Sequence, residues 1–116
     1  MNPCKKDSST FHGKFMIGNF IGDGNFSVVK ECFERTSLTK YAVKVARLKG
    51  TGDEREDLRE MMTSEVAVMR ALEHPNVIKC IDAFFGSSEI LIVLEYAAVS
   101  DMFFFKLDTI YFNTIQ

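Results

Sequence analysis

Apolar residues along this chain fall into five short runs, and one long amphipathic stretch separates the third from the fourth. Residues 11–21 are apolar and aromatic with interspersed glycines, which predicts a first strand after a polar, loose tail at residues 1–10. A glycine turn at residues 22–25 breaks it, and FSVVKECF at residues 26–33 predicts a second strand. After a polar turn, YAVKVA at residues 41–46 predicts a third. Strands this close in sequence, split by turn residues, are expected to lie antiparallel. The loop KGTGD at residues 49–53 leads into a predicted helix over residues 54–73, with acidic residues at its start, where the helix dipole favours them. His74, Pro75 and Asn76 close it, because a proline disfavours helix in the residue before it. Residues 77–85 and 89–96 predict the fourth and fifth strands across a Gly-Ser-Ser turn. The expected class is α+β, a five-stranded antiparallel sheet with one main helix, followed by an aromatic tail.

Composition narrows the setting. With 116 residues, 47% hydrophobic and 26% charged, the chain has the make-up of one small globular domain. A net charge of −2 gives no reason to expect nucleic acid as a partner. The longest aliphatic run, residues 90–94, is far short of the ~20 residues that cross a bilayer, so no membrane association is expected. Cys4, Cys32 and Cys80 are odd in number and widely spaced, which predicts free thiols in an intracellular, cytoplasmic or nuclear, setting.

Three features carry candidate chemistry. Gly22-x-Gly24-x-x-Ser27-x-Val29 is a glycine-rich turn, in which backbone N–H groups can approach an anion without an intervening Cβ. It opens a strand and not a helix, and no Lys-Ser/Thr pair follows, so neither a dinucleotide-binding turn nor a P-loop fits. A hairpin lid over phosphates and an ordinary hairpin turn both remain open. Lys44 alternates with Val43 and Val45 and shares a strand face with Ala42 and Ala46, leaving room around a cation. Taken by itself, an exposed strand lysine is the more ordinary reading. On the helix, Leu58, Met62, Met69 and Leu72 form an apolar stripe at helical spacing, with Glu65 in its middle. A carboxyl directed inward either has a cation opposite it, for which Lys44 is the candidate, or is neutral, unless the stripe is imperfect and Glu65 reaches solvent.

IGDGNFSVV at residues 21–29, AVK at residues 42–44, Glu65 nine residues ahead of His74-Pro75-Asn76, and VLEYA at residues 93–97 together resemble the N-terminal lobe of eukaryotic protein kinases over roughly residues 15–103. IGDGNFSVVKEC is similar to the calmodulin-dependent-type serine/threonine group, and to its doublecortin-like members in particular. The resemblance implies an N-lobe at residues 11–103 and a divergent aromatic tail at residues 104–116. It implies ATP as the cofactor, with Gly22, Asp23, Gly24, Asn25, Phe26 and Ser27 over the phosphates and Lys44 holding the α- and β-phosphates. Glu65 would pair with Lys44, and these two would be the catalytic residues of this lobe. Ile21, Val29 and Ala42 would enclose the adenine, with Leu94 as gatekeeper. The backbones of Glu95 and Ala97 would meet the adenine edge, and Asp101 would face the ribose. Met69 and Cys80 would form the N-lobe half of a hydrophobic column.

The chain departs from the pattern in two ways. The third glycine of the turn is Ser27, a small residue and a mild change. More severely, no H-R-D catalytic loop and no D-F-G occur. Magnesium is expected for the family, but its protein ligands belong to those motifs, and so does the group that orients the attacking hydroxyl. These 116 residues alone are therefore expected to be inactive, a protein substrate being engaged only in a full-length form. The expected function is the ATP-binding lobe of a serine/threonine kinase. The alternative is a non-catalytic lobe that binds a regulatory partner.

Overall fold

The computed structural model describes residues 7–24, 27–48, 50, 52–71 and 78–96. Helix α1 (Ser8–Lys14) leads into strands β1 (Phe15–Gly24), β2 (Ser27–Glu34) and β3 (Lys40–Arg47), then helix α2 (Gly52–Ala71), and strands β4 (Cys80–Phe85) and β5 (Glu89–Glu95). The strands make one five-stranded sheet in the order β1-β2-β3-β5-β4, every neighbouring pair antiparallel. This is the expected architecture. The β4–β5 hairpin is inserted edge-on beside β3, so β3 and β5 lie inside the sheet while β1 and β4 form its edges.

Position within the sheet explains the hydrophobic pattern. On β3 and β5, Ala42, Ala46, Ile90, Ile92 and Leu94 belong to the core cluster that contains Met62, Val66 and Met69 of α2. The alternate residues Val43, Val45, Leu91 and Val93 belong to a second cluster with Phe11, Phe15, Cys32 and Phe84. Both faces of the inner strands are therefore covered, and β5 reads as an unbroken apolar run rather than an alternation. Each of the buried α2 side chains contributes about 1.5–3 kcal/mol of burial.

Two sequence expectations need correction. Residues 8–10 are not a loose tail, and the first strand does not begin at Phe11, because Ser8–Lys14 is a helix and β1 begins at Phe15. Asp7 caps the helix by accepting the Ser9 N–H at 2.9 Å, and the fully buried Phe11 anchors it between Phe15 and Phe84. Second, the buried face of α2 is Met62, Val66 and Met69, with Leu58 partly buried, so its centre is displaced toward Val66. At 100° per residue, Glu65 then lies at the border of the stripe rather than in its middle. Leu72 and the His74-Pro75-Asn76 segment fall outside the described residues.

Candidate functional site

The β1–β2 hairpin brings the glycine-rich turn to one end of the sheet. Gly22 pairs with Val29, Asp23 with Val28 and Gly24 with Ser27. Asn25 and Phe26 lie outside the described residues. The register of β1 shifts between Ile17 and Phe20 and again between Phe20 and Gly22, so the strand bends just before the turn. Ile21 is half-buried and packs against the α2-side cluster. At the stem of the hairpin, Ser27 is buried, and its Oγ has no hydrogen-bond partner among the described residues.

Beneath the hairpin, residues directly opposite one another across the strands share a face of the sheet. Lys44 pairs with Val29 on β2 and Ile92 on β5, and both partners belong to the α2-side cluster. Its side chain is therefore on the face that α2 covers, between Ala42 and Ala46, and the residue is only 4% exposed. An ammonium buried to that degree needs compensating partners, since an isolated buried charge costs several kcal/mol. On α2, Glu65 is half-buried with its Oε2 closed off from solvent. Lys44 and Glu65 thus occupy the same side of the sheet.

The far end of β5 holds the remaining predicted residues. Leu94 is fully buried and stands between Ala42 on β3 and Cys80 on β4. Glu95 donates its N–H to the Lys79 carbonyl at 3.2 Å and accepts the Lys79 N–H on Oε1 at 3.1 Å. A backbone contact from Glu95 to a ligand is left to its carbonyl. Ala97 and Asp101 lie outside the described residues. Met69 and Cys80 are both buried in the α2-side cluster, and burial raises the Cys80 thiol pKa.

Several residues that fix this arrangement carry no sequence signal. The acidic residues at the start of α2 are solvent-exposed, as a charged helix end should be. The arginines among them are not idle. Arg55 donates to the Ser87 carbonyl, and Arg59 donates to the Gly86 carbonyl at 2.7 Å and to that of Ser87 at 3.3 Å. Near the helix end, Arg70 meets the buried Asp82 of β4 at 3.4 Å. Asp82 reads in the sequence as an ordinary polar strand residue, and only the fold buries it. A cavity of about 790 Å³ lies between the hairpin, β3 and α2, with Asp23 and Ser27 on its wall beside Arg47, Glu54, Asp57 and Leu58. Its wall carries the carboxylates of Asp23, Glu54 and Asp57 and the guanidinium of Arg47, and it does not include Lys44.

Known proteins resemble this chain in sequence and in fold. A family model described as "Protein kinase domain" matches residues 15–114, past the point near Phe103 where recognisable motifs stop. The serine/threonine-protein kinase DCLK2 of Homo sapiens is 36% identical over 103 residues, covering 88% of this chain and 13% of that protein. DCLK3 of Homo sapiens is 39% identical over 92 residues, covering 77% and 13%, and DCLK1 of Rattus norvegicus is 35% identical over 96 residues, covering 82% and 21%. The chain thus spans a small part of the length of these relatives. Among solved structures, titin kinase with its flanking domains superposes with a TM-score of 0.69 at 23% identity, covering 79% of this chain and 16% of that one. The autoinhibited serine kinase domain of titin gives 0.62 at 25% identity, covering 72% and 24%.

Proposed function

This chain belongs to the protein kinase family as an N-lobe homologous to serine/threonine kinases, and from that membership we propose that the face shared by Lys44 and Glu65 binds the phosphates of ATP. The observation that carries the reading is the burial of Lys44 between two alanines on the α2 side of the sheet. The two alanines place no large side chain on either side of the ammonium along the strand. The Oγ of Ser27, buried at the hairpin stem and without a hydrogen-bond partner among the described residues, is a further polar atom suited to a ligand under the hairpin. On these grounds the residues fit a nucleotide.

ATP, when bound, supplies the transferable phosphoryl group. Lys44 neutralises phosphate oxygens from a site sheltered from water, where charge interactions are stronger than in solvent. Glu65, at the border of the α2 stripe, holds the Lys44 ammonium forward and makes phosphate binding sensitive to the seat of α2. Gly22, Asp23, Gly24 and Ser27 cover the phosphates. Ile21, Val29, Ala42 and Leu94 line the adenine side, next to the backbone of Glu95. Among the described residues no group of three or more His, Cys, Asp or Glu side chains is placed to hold a metal ion. The residues of this lobe position phosphates, and with no catalytic-loop motif they do not by themselves orient an attacking hydroxyl. Phosphoryl transfer to a protein hydroxyl is accordingly proposed for a full-length form.

A thermal shift with ATP tests the reading. A ligand at 100 times its dissociation constant stabilises the native state by about 2.7 kcal/mol. The chain should gain stability with ATP, and Lys44→Met should abolish the gain. A folded chain that shows no shift at millimolar ATP would overturn the nucleotide reading in favour of a partner-binding lobe. Activity of the isolated chain on a peptide, lost in Lys44→Met, would overturn the inactivity.

A further inference from the structure

Both helices are fastened to the same short stretch of chain, residues 82–87, from opposite sides of the sheet. At one end stands Asp82, 5% exposed on the edge strand β4. The β4–β5 register shifts between Cys80 and Asp82, which sets Asp82 opposite Val93, a residue of the α1-side cluster. Its Oδ2 meets Lys14 Nζ, from the last turn of α1, at 3.5 Å. Its Oδ1 meets Arg70 Nη2, from the last turn of α2, at 3.4 Å and accepts the Ala83 N–H at 2.9 Å. At the other end, Ser8 of α1 packs so closely on Gly86 that a Cβ there would overlap its hydroxyl. The carbonyl of that same glycine accepts from Arg59 of α2.

We propose that Asp82 is a positioning residue through which the docking of α1 sets the seat of α2, and with it the placement of Glu65. A buried carboxylate must be neutralised, and here a cation from each helix takes a different oxygen. Lys14 on Oδ2 and the Ala83 N–H on Oδ1 fix the orientation of the carboxylate. That leaves Oδ1 directed at Arg70, little more than one helical turn beyond Glu65. With α1 docked, α2 is held at its C-terminal end. With α1 displaced, Oδ2 loses the Lys14 ammonium, the carboxylate is no longer oriented from that side, and the Arg70 contact weakens. The consequence for ATP rests on the nucleotide reading of Glu65. The consequence for α2 does not.

Hydrogen exchange of the 116-residue chain, resolved by element, tests this. Asp82→Asn should speed exchange of the α2 amides over residues 62–71 about tenfold, leaving β3 and β5 unchanged, and Asp82→Glu should restore most of the protection. Should Asp82→Asn fail to fold, Lys14→Met at a half-exposed position carries the test. It should speed the same α2 amides about threefold although the substitution is on α1. The proposal is overturned if Lys14→Met affects α1 alone, or if Asp82→Asn speeds exchange equally in all elements. ATP affinity is measured on the same variants. A loosened α2 with weakened ATP binding supports the whole chain of effects. A loosened α2 with ATP affinity equal to the parent's, or with no ATP binding in the parent either, supports the positioning role of Asp82 and overturns the nucleotide role given to Glu65.

Discussion

At the scale of single residues, surroundings decide which side chains keep ordinary chemistry. Cys32 is fully buried in the α1-side cluster, and desolvation pushes its thiol up to about 12 from 9.0. A thiol kept neutral by burial is inert. Under native conditions iodoacetamide should leave the Cys32 peptide unmodified and should label it once denaturant is added, as read by peptide mass. The same shift fixes the sign of an alkaline effect. Because the folded pKa lies above the unfolded one, the associated stability is complete below pH 9 and is lost as pH rises toward 12. Denaturation between pH 9 and 12 should therefore steepen, and Cys32→Ala should remove that part of the slope. On the exposed side, the Lys40–Glu31 pair at 2.8 Å shifts in the opposite sense for its acid. The hydrogen bond from Lys40 lowers the Glu31 pKa, and the stability linked to it is lost only as pH falls through that lowered value. The hydrogen bond to Glu31 raises the pKa of Lys40, whose ammonium also lies 4.2 Å from the Tyr96 ring centroid.

At the scale of elements, α1 shows why a short helix escapes a sequence reading. Seven residues with a glycine among them offer no helical periodicity, and one buried side chain is too few to define a stripe. Asp7 ahead of Ser8 is a capping signal, but such residues serve turns equally well. Tertiary packing of Phe11 decides the matter, and Phe11→Ala should cost about 3–5 kcal/mol in denaturant unfolding. The contact between α1 and the β4–β5 turn gives a sharper test. Gly86 has no positive φ in this structure, so the demand for glycine there is one of space, set by Ser8 and the Glu89 carbonyl. Gly86→Ala should destabilise by about 1–3 kcal/mol, and Ser8→Gly in the same chain should recover a good part of that loss. Purely additive effects would mean that the two positions do not meet. For α2, the periodicity locates the helix and three members of its apolar face. It puts Glu65 too near the centre, because the buried face turns on Val66 and the direction of the sheet cannot be read from one helix.

At the scale of the whole molecule, the two core clusters share one sheet. Alternate residues of β3 and β5 feed each of them, so neither can melt while the other remains intact. Met62→Ala on the α2 side and Phe11→Ala on the α1 side should each lower the midpoint of a single cooperative thermal transition. Two separate transitions in either variant would contradict this arrangement. The same sharing explains why a helix on one face can influence a helix on the other through the edge strand between them.

The five strand segments and the long helix were determined locally, by runs of β-branched and aromatic residues, glycine turns and a helical apolar stripe, whereas the pairing of β3 with β5 across α2 and β4 was not. That Lys44 shares a face with Ala42 and Ala46 was fixed in the same way, since strand alternation is a local property of backbone geometry, but that this is the buried face under α2 was decided by the fold. Burial of Asp82, the footing of the α2 arginines on the β4–β5 turn, and the helical state of residues 8–14 were decided by tertiary structure alone. Each depends on residues distant in sequence meeting across the edge of a sheet, and a polar side chain carries no mark in its own neighbourhood of what will be folded against it.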